Sequence, residues 1–88
     1  MKVNFKQIKV EASFGEFVPI DMTKDLGNYI HAHTTDIGID DTARIIYYSD
    51  GEVEISEEHA AAIVSMMEQS DCPFLAFAKK AVINELKV

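Results

Sequence analysis

The apolar residues change their period at Asp21. Ahead of it, Val3 and Phe5, then Ile8, Val10 and Ala12, recur at every second position, the spacing of a strand with one buried face. Beyond it, Met22, Leu26, Tyr29, Ile30 and His33 recur at threes and fours, the spacing of a helix. A chain that opens in the first rhythm and continues mostly in the second is confined to the α+β class. Its 88 residues are enough for a single domain, 1–88, and leave no room for a second core.

The punctuation supplies an order of elements. Val3 and Phe5 differ in parity from Ile8 and Val10, so a β-bulge near Lys6 and Gln7 is expected within a strand over 2–12. Ser13-Phe14-Gly15-Glu16 reads as a turn in which Gly15 supplies the positive φ of type II. A second strand follows over 17–20, and Pro19, having no amide to donate, places it at a sheet edge. Asp21 can cap a helix over 22–34. Gly27 within it costs up to ~1 kcal/mol relative to alanine, or admits a close neighbour. A second helix is predicted over 39–49, with Asp40 and Asp41 in its first turn, Arg44 in reach of Asp40, and Ile39, Ala43 and Ile46 inward. Residues 52–55 alternate and are expected to join the N-terminal hairpin as its third strand. Ser56 caps a third helix to about residue 70. Pro73 suits the first position of a fourth helix that runs to the C-terminus. The prediction is an α+β fold in the order β-β-α-α-β-α-α, with a small, mainly antiparallel three-stranded sheet packed against helices.

Charge is more informative by place than by total. Both ends are balanced, and the whole net charge of −7 lies between 36 and 58, where eight acids meet one base, Arg44. A field of that sign repels phosphates and favours a basic protein partner, so direct nucleic-acid binding is not expected. No apolar run approaches the ~18–20 residues of a membrane span. The first residues carry lysines without a following apolar stretch, and no secretory leader or membrane attachment is expected. Cys72 is the only cysteine, which excludes an internal disulfide and points to a reducing, cytoplasmic compartment.

The chemistry-bearing residues do not assemble into a known apparatus. Residues 50–57 imitate half of a calcium loop, but the first two ligand positions fall on Ile46 and Tyr48, which offer no carboxylate. His31 and His33 point about 160° apart on a helix at ~100° per residue and cannot hold one ion together. His33, in an apolar stripe, reads as a buried imidazole satisfied by a backbone carbonyl or a carboxylate. Cys72 precedes a helix start that could lower its pKa, and Asp71 beside it opposes that shift. No catalytic, cofactor or metal residue is assigned, and the chain is read as a non-enzyme.

Two surfaces stand out instead. The last helix carries apolar residues over more than half its circumference, and the third is widened by Ala62 and Met66. Met66, Met67, Phe74, Phe77 and Ile83 are therefore candidate contacts of a homo-oligomer. The acids that helix-start electrostatics leave unexplained, Asp36, Asp50, Glu52 and Glu54, join Tyr47 and Tyr48 as a candidate surface for a protein partner.

The succession Leu26-Gly27-Asn28-Tyr29-Ile30, Asp36-Ile37-Gly38 and Ala43-Arg44-Ile45-Ile46-Tyr47-Tyr48 resembles small uncharacterised proteins of bacterial prophages and mobile elements. The resemblance implies an accessory or assembly-type protein rather than a metabolic enzyme, and it assigns no catalytic residue. The leading expectation is a non-catalytic protein-protein interaction module that binds either itself, as a homo-oligomer, or a basic protein. The alternatives are an acidic DNA-mimic decoy, whose four acids must line one face, and a small ligand-binding protein or enzyme with a site between subunits, for which a pocket at His33 or Cys72 is expected.

Overall fold

The phase change after Phe5 marks a change of sheet. A computed structural model describes residues 1–87. Strand β1 (Lys2–Asn4) runs into a 3-10 turn (Phe5–Gln7), from which strand β2 (Ile8–Ser13) emerges. Asn4 Oδ1 accepts the Lys6 amide at 3.0 Å, and the Phe5 carbonyl accepts the Met22 amide at 2.9 Å. So held, the turn sinks the Phe5 ring into the core and lets Ile8 and Val10 bury too. The expected bulge at Lys6 and Gln7 is corrected: a 3-10 turn does the rephasing, and the register irregularity lies further on, between Glu11 and Ser13.

The turn also splits the expected three-stranded sheet. Strand β3 (Glu16–Ile20) pairs antiparallel with β2, setting Ile20 opposite Ile8 and Val18 opposite Val10. Strand β4 (Glu52–Glu54) pairs antiparallel with β1, with Val53 opposite Val3. Reciprocal hydrogen bonds between Met1 and Ile55, at 2.8 and 2.9 Å, extend that ladder. Among the described residues, four strands therefore form two sheets of two. β4 does meet the N-terminal segment, but at β1, on the far side of the turn from the hairpin.

Helices α1 (Thr23–His33) and α2 (Ile37–Tyr47) form an antiparallel pair. Gly27 is what lets them close. A Cβ there would lie 2.8 Å from the Tyr47 Cβ and 3.0 Å from the Ala43 carbonyl. Asp21 accepts both the amide and the hydroxyl of Thr23, at 2.9 and 2.6 Å, and these bonds hold its carboxyl below the usual range. α2 starts two residues earlier than its spacing predicts because Asp36 is its cap, with Oδ1 accepting the Ile39 amide at 3.1 Å. Helix α3 (Glu57–Met67) is capped by Ser56, whose Oγ accepts the His59 amide at 3.2 Å.

Helix α4 (Ala76–Leu86) begins later than predicted. Pro73 stays outside it because Phe74 turns inward, its ring 5.3 Å from that of Tyr29, and Leu75 is extended. The helix ends at Leu86, and Val88, expected within it, lies outside the described residues. One buried cluster from Val3 to Leu86 joins all four helices to β1 and β2, with Phe5, Leu26, Ile30, Ile46, Ile63 and Val82 fully enclosed. Among the described residues, no helix is long and apolar enough to cross a membrane.

Candidate interaction surface

The four acids singled out by the sequence do not share one free row. Asp36 sits at the start of α2 and Asp50 beyond its end, separated by a helix of 11 residues, about 16 Å at 1.5 Å per residue. Asp36 is occupied as a cap. Asp50 accepts a hydrogen bond from Lys6 at 2.8 Å, which lowers its own pKa and raises that of the lysine. Glu54 lies 3.6 Å from the Met1 nitrogen. Glu52 shares the exposed face of β4 with Glu54. Asp40 pairs with His31 across the α1–α2 seam rather than with Arg44.

Tyr47 and Tyr48 do meet, edge to face, with ring centroids 4.8 Å apart, on the surface of the molecule rather than in its core. Tyr47 is half-buried and Tyr48 exposed. The Lys24 ammonium stands 4.1 Å above the Tyr47 ring and donates to the Tyr47 carbonyl at 2.8 Å. The aromatic pair therefore already receives a cation, and that cation comes from its own chain.

The candidate oligomer contacts divide. Met67 is 1% exposed and belongs to the core, a correction to its place among surface residues. Its neighbours on α3, Ala60 and Ile63, are buried with it, so the inner stripe of that helix is covered within the chain. Met66, Phe74 and Ile83 are half-buried against the core, whereas Phe77 reaches solvent.

The histidines and Cys72 are held separately. His33 is exposed rather than buried. Its Nδ1–H donates to the Tyr29 carbonyl at 2.8 Å while its ring stacks 4.2 Å from the Tyr29 ring. A carbonyl can only accept, so this contact places the proton on Nδ1. His59 Nδ1 is hydrogen-bonded to the Thr42 hydroxyl at 2.7 Å. His33 and His59 do border one depression of about 310 Å³, together with Asp36 and Met66. No group of three or more His, Cys, Asp or Glu side chains that could hold a metal ion occurs among the described residues. Cys72 is buried beside Tyr29. Burial pushes the Tyr29 phenol up to about 12, and a hydrogen bond with the Cys72 side chain adds to the rise.

A larger feature joins residues the sequence kept apart. A groove of about 530 Å³ lies between the β2–β3 hairpin and α4. Lys9, Phe14 and Phe17 line it from the hairpin; Leu75, Phe77 and Lys80 line it from α4 and the residue before it. Phe17 is opposite Glu11, and Lys9 is opposite Pro19, so the hairpin face on the groove is the one that does not carry Ile8 and Val10. Phe14 sits at the turn, next to Gly15 at φ +81°, and is fully exposed. Phe17 and Leu75 remain 62% and 67% exposed. The sequence did hold a signal for this site. Phe17-Val18-Pro19-Ile20 is apolar without alternation, which an ordinary edge strand with one wet face is not.

No protein-family model, curated protein or solved structure matches the chain.

Proposed function

We propose that this protein is a non-catalytic interaction module whose docking surface is the groove between the β2–β3 hairpin and α4. One observation carries the reading: Phe14, Phe17, Leu75 and Phe77 are solvent-accessible side chains gathered around a single concavity. Scattered apolar residues on a surface need no explanation, but a contiguous patch rimmed by charge marks a site of contact. Phe14 argues for a macromolecule rather than a small ligand. Its ring projects at a hairpin tip, where a molecule seated in the concavity would leave much of it wet. Local geometry does not require it either, since the residue before the glycine of a type II turn is under little side-chain constraint.

The acidic tyrosine-bearing surface is the weaker candidate, because Lys24 already occupies the ring faces and Lys6 already answers Asp50. The decoy reading has less support, since Asp36 is spent as the α2 cap at the end away from Asp50, Glu52 and Glu54, and Asp50 is paired with Lys6. An accessory, assembly-type role, which the resemblance to prophage-encoded proteins implies, is compatible with a docking module.

The test is site-specific photocrosslinking in cells that make the protein. A benzophenone amino acid at Phe17 or Leu75 should yield discrete protein adducts, and the same group at Glu85, outside the groove, should not. Equal labelling from all three positions, or none from the groove, would remove the proposal.

A further inference from the structure

We infer that the occupant of the groove is a second copy of this chain, bound about a two-fold axis so that each hairpin tip lies in the other's groove. The inference rests on the groove being a docking surface and adds the identity of the partner. Area is the first argument. Phe14, Phe17 and Phe77 are 101%, 62% and 37% exposed, equivalent to two fully exposed phenylalanines. At about 200 Å² per ring side chain, with Leu75 added, the patch offers roughly 500 Å² of apolar surface. A standard interface buries about 800 Å² per partner, somewhat over half of it apolar. Covered completely, the patch supplies the apolar share of such an interface.

The second argument is self-complementarity. A two-fold contact uses the same patch on both subunits, so the patch must contain both the projection and its receptor. Here it does: Phe14 is the projection, and Leu75 and Phe77 are the receptor wall. The charges follow the same division. Residues 8–20 carry Lys9 against Glu11 and Glu16, a net −1, whereas α4 carries Lys79 and Lys80 against Glu85, a net +1. α4 also starts without a side-chain cap, and its first residues, with the partial positive charge of a helix start, border the groove. A hairpin laid across the α4 of another copy brings opposite signs together, Glu16 toward Lys80. The segment between 36 and 58, which holds the net charge of −7, contributes no residue to the groove. Repulsion between the two acidic segments is therefore held away from the contact, where salt screens it within about 8 Å.

Sedimentation velocity over a dilution series of the purified protein tests this. The native chain should sediment as a dimer at high micromolar concentration and dissociate on dilution. Phe14→Ser should weaken association at least tenfold, and Tyr48→Ser, at another exposed aromatic away from the groove, should not. Thermal unfolding of both variants at monomeric concentration should match the native chain, because neither ring lies in the core. Lys80→Glu and Glu16→Lys chains should each associate poorly alone and recover when mixed. A dimer indifferent to Phe14→Ser, or variants that fail to recover on mixing, would overturn the arrangement. A native chain that stays monomeric throughout overturns the second copy; crosslinks to another protein from Phe17 would then still uphold the groove. Monomer that floats with anionic phospholipid vesicles would reassign the patch to a membrane surface.

Discussion

Gly27 and Tyr29, two residues apart on α1, show how a single side chain can set a boundary. At Gly27 two effects of alanine oppose each other. Helix propensity favours alanine by up to ~1 kcal/mol. The added Cβ, however, would lie 2.8 Å from the Cβ of Tyr47 and 3.0 Å from a carbonyl oxygen, neither of which is a flexible chain end. Overpacking of this kind costs about 1–3 kcal/mol, so Gly27→Ala should be net destabilising, read as a lower denaturant midpoint at unchanged slope. Tyr29 sets a limit in pH. Its phenol is raised from 10.0 to about 12, so the folded state favours the neutral form. The stability this contributes is fully present below pH 10.0 and is lost as the pH rises through about 12. Denaturant titrations at alkaline pH should show the midpoint falling across that window, and Tyr29→Phe should flatten the fall.

At the scale of elements, the starts of α2 and α3 assign work to a polar side chain, whereas α1 begins after Met22 without the Asp21 cap its sequence suggests, and the assignment changes how the acids are read. Asp36 caps α2, so Asp36→Ala should cost about 1 kcal/mol of stability. It should leave association through the groove unchanged, which sedimentation alongside denaturation would check. Asp21 acts on the other side of α1. Its carboxyl is lowered below 3.8 by the Thr23 hydroxyl and amide, so its contribution is present above that value and lost as the pH falls through the folded pKa. Acid titration followed by circular dichroism should show Asp21→Asn reducing the pH dependence in that range, because the amide oxygen still accepts but no longer titrates. The elements themselves were largely legible. All four helices lie where the three-and-four spacing puts them, and Ser56 caps α3 as its position suggests. Their starts were not. Asp36 lies in a stretch that reads as a break, and Pro73 offers a start that α4 declines because Phe74 is drawn onto Tyr29.

The whole molecule decides which apolar residues are surface. Met67 and Phe77 look alike in sequence, each lying in the apolar face of its helix, yet one is enclosed and the other meets solvent. Met67→Ala should therefore cost about 2–5 kcal/mol, a large part of the ~5–15 kcal/mol that stabilises a domain, and should show as a lowered melting temperature. Phe77 touches the groove, so its truncation should act on association far more than on folding. Of the groove, only the hairpin wall left a signal in the sequence, the unbroken apolar run Phe17-Val18-Pro19-Ile20. The two walls are separated by more than fifty positions of sequence, and only the packing of β2 along α4 brings Phe17 opposite Leu75.

The periodicity of apolar residues, a local property read within a few residues, was enough to determine the class, the helices and most of the core. Ile39, Ala43 and Ile46, for example, are buried as their spacing requires. Sheet membership and the docking surface depended on long-range choices: a 3-10 turn that parts β1 from β2, and a fourth helix laid beside the hairpin. Local spacing says which face of an element avoids water. It does not say whether the chain has enough other elements to cover that face, and around Phe14, Phe17 and Leu75 it does not.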